Sequence, residues 1–415
     1  MKKNDKYVIY IGDFDFRNEN VQSNLVKNNG IVLKSLGYKL IYIGIDTKNF
    51  ALSKKLTLRE IKLEGDDLYN ELPNTFSFKG LFRCWSVCNT ITSYLDSIIA
   101  YNNVEFVITY QSPSYAIALK KIAVWCNRNN IKYVVNSADL PTFDLQPYIK
   151  KKIMKANWGY LHRINKKYAD GIISVSKFIE SFYKKEKCCY ALIPPLFNTF
   201  QRNIELCEPE NEVSFIYAGT PFINTGRSAK TSGMKDRLDK IIDLFLLLSK
   251  IEIFYKFKII GISKEEYLIA VPRQEILLKD NKNIEFLGRL SHKHTLALIS
   301  VSDFSINYRD SNLMTKAGFS TKIVESISLG TPVIINSISD TFDYLKEGTS
   351  GFELTGDMQS DLKKIILLCK LSKEDRIRLK TNLISERIFD TSNSIYLEKM
   401  ELFISCLNRS KREIE

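Results

Sequence analysis

Residues 317–334 read AGFSTKIVESISLGTPVI and join a glycine-containing turn to a short amphipathic helix and a following strand. We expect Gly318 to let the backbone turn sharply and come close to a ligand. Ser320 or Thr321 can cap the helix, which Gly330 ends. The first amides of such a helix point outward and favour negative charge. The segment therefore predicts an anion-binding turn in a parallel α/β domain.

Lys322 lies in the first turn of that predicted helix. A cation there opposes the helix dipole by about 0.3–1 kcal/mol, so an unpaired lysine is a poor choice for helix stability. The position becomes favourable if an anion is shared between the ammonium group and the backbone amides. A pair with Glu325, three residues on and on the same face, is the alternative, and we favour the anion site.

A second segment of the same kind precedes the helix predicted over residues 236–249. The strand Phe215–Ala218 runs into a turn, and a long loop then carries Arg227 and Lys230 before it ends at Lys235. Loops this long in compact domains are usually functional or mobile. An exposed surface loop explains Arg227 and Lys230 equally well, whereas Lys235 can reach a phosphate at the helix N-terminus.

Two cationic helix N-termini in one domain indicate a ligand with more than one phosphate. The sequence contains neither a GxxxxGK[ST] phosphate loop nor the GxGxxG turn of dinucleotide-binding domains. A nucleoside diphosphate derivative therefore fits these segments better than ATP hydrolysis or NAD binding.

Short apolar runs alternate with helical patterns along the chain, which is typical of parallel α/β units. The runs predict strands over residues 7–11, 40–45, 106–110, 133–135, 171–175, 215–218, 257–261, 284–287, 303–307 and 333–336, and residues 76–100 are predicted to be helical. Pro194 and Pro195, with the polar residues after them, indicate a linker. We therefore predict an α/β fold of two doubly wound domains facing across a cleft, with ligands at the carboxyl ends of the strands. The predicted domains cover residues 1–197 and 198–390, and a C-terminal helix over 391–415 packs back on the first.

Composition and charge exclude several classes of protein. The chain has 415 residues, 45% hydrophobic and 26% charged, which excludes disordered and collagen-like proteins. It has no apolar run of about 18 residues, and the apolar stretch near its N-terminus is too short for a signal peptide. Eight cysteines without a CxxC pair and three histidines suggest neither a disulfide framework nor a metal site. We therefore expect a reducing cytoplasm.

The net charge of +13 is concentrated in one segment, because eleven lysines and arginines stand against three acids between Lys150 and Lys187. Such an excess suits nucleic acid, an anionic membrane surface or a lipid phosphate. A solvated helix face explains it equally well. No nucleic-acid-binding module accompanies the charge, so we expect no nucleic-acid partner.

These residues resemble retaining glycosyltransferases of family 4, which have the GT-B architecture of two Rossmann-like domains. The resemblance rests on the motif YAGTP at 217–221 with Lys235 and Asp236, on FLGR at 286–289, and on residues 318–334. The GFSTK form is similar to bacterial enzymes that build capsular and other surface polysaccharides. The first 200 residues match mainly in layout, as expected for the variable acceptor-binding domain.

The resemblance implies transfer of a sugar, with retention and without a metal or cofactor, from a UDP- or GDP-linked donor to a surface glycan or lipid-linked acceptor. Lys235 and Arg227 would neutralise the leaving diphosphate, Glu325 would bind the ribose, and Arg289 would lie beside the nucleobase. The full set of implied donor-binding residues is Gly219, Thr220, Arg289, Gly318, Phe319, Ser320, Thr321, Lys322 and Glu325.

Two positions depart from the family pattern. The family has two glutamates eight positions apart, whereas here Ala317 precedes Glu325, so either recognition of the donor sugar is altered or Asp310 supplies the missing acid. Only Gly12 stands where the family often has two glycines after the first strand. Neither departure removes the diphosphate site.

In the first domain, Asp139 follows a predicted strand and is our candidate for contacting the donor sugar or orienting the acceptor hydroxyl. A turn aspartate explains it equally well. The basic helix predicted over residues 149–168 can lie on an anionic leaflet or contact a lipid-linked pyrophosphate. The aromatics of residues 76–85 can dip into a membrane, although core packing explains them better.

Three other functions compete with this enzyme. A non-catalytic nucleotide-sugar-binding subunit would explain Ala317. A GT-B phosphorylase would need a cofactor lysine and a longer chain, and a GT-B epimerase is a further alternative. The leading hypothesis remains a cytoplasmic, peripherally membrane-bound glycosyltransferase.

Overall fold

The computed structural model describes residues 5–16, 20–46, 61–62, 68–73, 91–140, 148–184, 188–199, 211–222 and 235–409. The contacts divide the chain into two compact units, with boundaries between Leu196 and Phe197 and between Asp390 and Thr391. The first unit therefore includes the C-terminal helix. Each unit has its own sheet and is described by itself.

The described residues of the first unit form an eight-stranded sheet in the order β3-β4-β2-β1-β5-β6-β7-β8. All pairs are parallel except β3 with β4. The chain begins at β1 and extends the sheet on both sides, so the order reverses between β1 and β5. The strands are β1 Lys6–Gly12, β2 Tyr38–Asp46, β3 Ile61–Lys62, β4 Leu68–Pro73, β5 Asn103–Tyr110, β6 Lys132–Ser137, β7 Gly171–Ser174 and β8 Cys189–Leu192.

Helices connect these strands and bury their apolar faces against the sheet. In α1, eight residues are buried and the side chain of Asn20 accepts from the amide of Ser23, which satisfies one free amide of the first turn. The helices of the first unit are α1 Val21–Ser35, α2 over residues 91–99, α3 Ala116–Arg128, α4 Tyr148–Tyr168, α5 Lys177–Tyr183 and α14 Ser394–Arg409.

A disulfide between Cys189 on β8 and Cys406 on α14 corrects the expectation that the cysteines form no such bond. The two residues are 217 positions apart, and neither belongs to a spacing motif. Phe403 and Leu407 of α14 also pack closely against Gly171 of β7. No local pattern indicated this pairing, because it depends on where the last helix packs.

The second unit has six parallel strands in the order β11-β10-β9-β12-β13-β14. The order reverses between β9 and β12, which makes this the switch point where doubly wound sheets bind ligands. The strands are β9 Val213–Ala218, β10 Tyr255–Ile260, β11 Ile284–Gly288, β12 Phe304–Asn307, β13 Val333–Asn336 and β14 Gly351–Leu354.

The core of the second unit lies between its sheet and α6, where the rings of Phe245 and Phe257 stack with centroids 4.2 Å apart. The helices are α6 Leu238–Leu248, α7 Lys264–Ala270, α8 Glu275–Lys279, α9 His292–Val301, α10 Leu313–Ala317, α11 Thr321–Ser328, α12 Met358–Cys369 and α13 Lys373–Glu386. Among the described residues of both units, no helix is long and apolar enough to cross a bilayer.

Every strand predicted from apolar runs is present. The prediction missed β3, β4, β8 and β14, which are short or partly polar and carry little periodic signal. The helix predicted over residues 76–100 is observed over 91–99, and the remainder of that prediction, with the aromatics of 76–85, lies outside the described residues.

Candidate functional site

The candidate site lies at the switch point of the second sheet, where β9 and β12 end side by side. Gly219 follows β9, and Arg309 follows β12 by two residues. The N-terminal segments of α6 and α11 meet at the same edge, because Lys322 of α11 bonds to Asp236 just before α6. The two segments selected from sequence are therefore brought together in space.

Gly219 is required by the path of Lys322. Its φ of +146° is a backbone conformation that L-residues rarely adopt. A Cβ at this position would overlap the Cε and Nζ atoms of Lys322. The glycine thus leaves the room in which the lysine side chain lies across the end of β9.

Asp236 is fully buried and organises the cations of the site. Its carboxylate accepts from Lys322 Nζ, from Arg309 Nε at 2.8 Å, and from the hydroxyl of Tyr217 at 2.8 Å. Lys322 Nζ also donates to the Tyr217 hydroxyl at 3.2 Å and lies 4.7 Å from the centre of that ring. One buried acid therefore fixes two cationic side chains.

The electrostatics leave this cluster positively charged. Burial alone would raise the pKa of Asp236, but the charges of Lys322 and Arg309 hold that pKa below its ordinary value, so the carboxylate is ionised. The pKa of Lys322 is lowered, mainly by burial and further by Arg309 and Lys235, while Asp236 opposes that change. One negative charge against the two positive charges of Lys322 and Arg309 leaves one in excess, which suits an anion.

Lys235 adds a further cation beside the cluster. It is exposed, its backbone amide donates to the Pro221 carbonyl at 2.7 Å, and its charge is close enough to lower the pKa of Lys322. The structure thus places Lys235 and Lys322 at one edge of the sheet. Arg227 and Lys230 lie outside the described residues.

The turn before α11 differs from the expectation in two respects. The chain bends at Gly318 between α10 and α11 as expected, but its φ of −78° and ψ of 153° are an extended conformation that any residue can adopt, so the bend does not require a glycine. Ser320 occupies the N-cap position of α11, but it makes no capping bond, and its buried Oγ has no hydrogen-bond partner among the described residues. Thr321 begins the helix itself.

Two other predicted donor-binding residues differ in exposure, with Phe319 buried and Thr220 at the surface. The ring of Phe319 packs edge-on against Tyr344 and against Phe389, so this side chain belongs to an aromatic cluster rather than to a ligand surface. Thr220 is exposed, and its hydroxyl donates to the Gly261 carbonyl at 3.3 Å.

Glu325 pairs with His292 rather than with Lys322, which corrects the alternative considered for the lysine. The Nε2 atom of His292 lies 2.9 Å from the Glu325 carboxylate, and both side chains are partly exposed. His292 begins α9, so this contact joins the N-terminal end of α9 to α11. The carboxylate is therefore already held in one position.

The remaining two candidates of the second unit are engaged in exposed ion pairs. Arg289, just after β11, lies 2.8 Å from Glu266. Asp310, considered as a substitute for the missing glutamate, binds Arg237 at 2.6 Å and Lys240 at 3.0 Å. The pair with Glu266 does not test the predicted role of Arg289 beside the nucleobase. The carboxylate of Asp310 contacts residues at the start of α6.

Asp139 belongs to the first unit, after β6. It is exposed, and its carboxylate accepts from the amide of Leu140 at 2.9 Å, a contact typical of a turn aspartate. Burial chiefly raises the pKa of nearby Tyr110, and the charges of Asp13 and Asp139 raise it further. The two acids therefore lie near one phenol at the switch point of the first sheet.

Three residues of these sites were not predicted from the sequence: Asp13, Asp236 as an organising acid, and Arg309. Burial raises the pKa of Asp13, while a hydrogen bond with Ser112 opposes the change. Arg309 and Asp13 each follow a strand of a predicted parallel sheet by one or two residues. That position was a usable signal, because such residues lie at the ligand-binding edge.

Comparison with known proteins adds structural relatives but no sequence family. No protein-family model matches the chain, and no curated protein matches it. Sucrose-phosphate synthase from Thermosynechococcus elongatus superposes with a TM-score of 0.61 at 14% identity, covering 97% of this chain and 100% of that chain. A glycosyltransferase from Rickettsia africae gives 0.60 at 16% identity, covering 97% and 99%.

Anabaena HepE, solved in complex with UDP-glucose, gives a TM-score of 0.59 at 14% identity and covers 96% of this chain and 99% of that chain. At these identities the similarity concerns the fold. The chain therefore has the GT-B fold, with two Rossmann-like units, which confirms the fold class predicted from the sequence.

Proposed function

We propose that this protein is a retaining, metal-independent glycosyltransferase that uses a UDP- or GDP-linked sugar. The observation that carries the proposal is the cluster of Lys322, Arg309 and Lys235 at the switch point of the second sheet. A site with excess positive charge at that edge suits the diphosphate of a nucleotide sugar. Anabaena HepE, which shares the fold, was solved with UDP-glucose.

The cluster can supply the main electrostatic requirement of the reaction. When the bond between the sugar and the diphosphate breaks, negative charge develops on the departing phosphate oxygen. Fixed cations aimed at that oxygen stabilise the transition state more than the ground state. Asp236 holds Lys322 and Arg309 in place beforehand, so little reorganisation is needed when the charge develops.

The first unit would bind the acceptor, a growing bacterial surface glycan or a lipid-linked precursor. Asp139 and the partly buried Asp13 provide carboxylates that can accept hydrogen bonds from acceptor hydroxyls. Both lie at the carboxyl edge of their sheet, where a ligand is expected.

The helix α4 supports a peripheral association with an anionic cytoplasmic leaflet. Its sequence contains seven lysines and arginines and no acid. Tyr148, Ile149 and Ile153 are 70%, 74% and 56% exposed near its start. Exposed apolar groups beside lysines suit a membrane interface. Co-sedimentation with phosphatidylglycerol vesicles but not with phosphatidylcholine vesicles is expected, and equal recovery with both would contradict this part of the proposal.

The alternative function is a nucleotide-sugar-binding subunit without catalysis. Ala317, buried where the resembled family has an acid, favours it. Binding of a nucleotide sugar without transfer to any acceptor, while a partner complex is active, would support this alternative.

The test measures binding first and turnover second. The protein is incubated with a panel of UDP-, GDP- and ADP-sugars, and both the thermal shift and nucleotide release are recorded. Lys235→Ala is compared with Lys346→Ala, because the Lys346 side chain is 73% exposed and pairs with Glu386 rather than with a residue of the cluster. We expect Lys235→Ala to weaken nucleotide binding about tenfold, which corresponds to a loss of about 1.4 kcal/mol of binding free energy. Lys346→Ala should leave nucleotide binding unchanged.

Equal binding by both variants would show that Lys235 does not contact the diphosphate. Absence of binding to every nucleotide would overturn the proposed function as a whole.

A further inference from the structure

A depression opens at the carboxyl ends of β12 and β13, next to the cation cluster but on the other side of β12. The space within it, including its open mouth, is about 310 Å³. Arg309 lines it and also contacts Asp236 in the cluster, so the two places are adjacent. The main lining residues are Asn307, Arg309, Thr315, Gly318, Ser320 and Asn336.

Two buried polar groups lining this depression have no hydrogen-bond partner in the part of the chain that the structure describes. Asn307 is 6% exposed, and both atoms of its amide are unpaired among the described residues. Ser320 is also 6% exposed, and its Oγ is unpaired in the same sense, although the residue stands at a helix N-cap. A buried polar group without a hydrogen bond is unfavourable, so these groups need a partner from outside the chain, which water or a polar ligand can supply.

The lining is also one-sided in charge. Arg309 is the charged residue among the described residues of the lining, none of them carries a carboxylate, and the residue before Gly318 is the buried Ala317. Asn336 fixes the arginine loop, because its amide accepts from the Arg309 backbone N at 2.9 Å and donates to the backbone carbonyl at 2.7 Å. With Nε bonded to Asp236, the terminal Nη pair is the second donor edge of the guanidinium.

We propose that this depression binds the carboxylate of an acidic donor sugar, so that the enzyme transfers a hexuronic acid. A guanidinium presents two parallel N–H groups that match the two oxygens of a carboxylate. The Asn307 amide and the Ser320 hydroxyl supply further donors. This inference rests on the proposed function, and it selects the substrate class for that same site.

The position of the depression separates this carboxylate from the diphosphate. Lys322 of the cluster contacts Tyr217 of β9, whereas Asn307 of β12 pairs with Ile335 of β13. Arg309 reaches both places, since its Nε binds Asp236 and the residue lines the depression, so Lys322 and Lys235 are left to face the diphosphate. A nucleotide sugar with its diphosphate over the cluster would extend its sugar along the same sheet edge.

The test compares donors that share a nucleotide and differ in the acid. Dissociation constants are measured by calorimetry for UDP-glucuronic acid against UDP-glucose, and for GDP-mannuronic acid against GDP-mannose. With the nucleotide that the protein binds, we expect at least tenfold tighter binding of the uronic acid form. Equal binding, or tighter binding of the neutral sugar, would overturn this inference and leave the proposed function intact.

A matched pair of variants locates the effect. Ser320→Asp places a carboxylate in the depression, and Ser320→Asn has nearly the same shape without the charge. Both residues are good N-caps, so α11 is expected to fold in each variant. Ser320→Asp should reverse the preference toward the neutral sugar, while Ser320→Asn should keep the uronic acid preference. The same preference in both variants would overturn the inference, and absence of binding to any nucleotide in the wild type would overturn the proposed function with it.

Discussion

Substitution of Asp236 by asparagine tests the central feature of the site, one buried acid that holds two cations. The change keeps the shape of the side chain and removes its charge. It leaves Lys322 and Arg309 facing each other without compensation, and it weakens the bond from Tyr217. Removing one partner of a buried ion pair typically destabilises a protein by about 3–5 kcal/mol.

For a unit of about 190 residues, each kcal/mol lowers the melting temperature by about 2–4 °C. Asp236→Asn is therefore expected to lower the transition of the second unit by about 6–20 °C in scanning calorimetry. Asp310→Asn is the matched control, because Asp310 is 48% exposed and its two ion pairs lie at the surface. Exposed pairs contribute about 0–1 kcal/mol, so this control should melt close to the wild type.

The pH dependence of stability tests the direction in which the pKa of Asp236 is shifted. The pKa of Asp236 in the folded state lies below its value of 3.8 in the unfolded chain. Its contribution to stability is therefore present above that unfolded value and is lost as the pH falls toward the folded one. The difference in melting temperature between the wild type and Asp236→Asn should become smaller from pH 7 to pH 3. If the two aspartate variants melted alike at pH 7, the organising role of Asp236 would be refuted.

Three further predictions concern a glycine, a partly buried acid and the disulfide. Gly219→Ala should cost about 1–3 kcal/mol of stability and weaken UDP binding, because it strains the backbone and displaces Lys322; unchanged melting and UDP affinity would contradict this. Asp13→Asn should stabilise the protein by about 0.5–2 kcal/mol at pH 7, because burial raises the pKa of this acid and makes its ionised form unfavourable. This gain in stability should disappear near pH 3, and a loss of stability at pH 7 would contradict the prediction. Reduction of the disulfide between Cys189 and Cys406 should lower the free energy of unfolding by about 2–4 kcal/mol. A peptide map of the non-reduced protein that lacked this linked pair would contradict the disulfide itself.

Much of the fold was predictable because its signals are local. Apolar runs of four to six residues identified the central strands of both sheets, since a buried parallel strand needs side chains that are apolar on both faces. The edge strands β3, β8 and β14, and β4 next to β3, were missed because pairing at or near an edge can proceed with polar or very short segments. The turn glycine at 219 and the lysines near two helix starts were also visible as local features.

The partners of those residues were not predictable from the sequence. Lys322 was expected to face an anion or Glu325, yet it bonds to Asp236, 86 positions away. Glu325 instead contacts His292, and the buried Ser320 hydroxyl has no hydrogen-bond partner within the described ranges. Each of these outcomes depends on which elements adjoin α11.

The amino-acid pattern by itself determined the two α/β units, the position of their strands and the concentration of cations before two helices, because periodicity and turn chemistry act over a few residues. Tertiary structure alone decided that β9 and β12 are neighbours, and so that Arg309, Asp236 and Lys322 form one cluster. It likewise decided that the last helix is joined to β8. Strand order and helix docking are settled by burial over the whole unit, and no short segment encodes them.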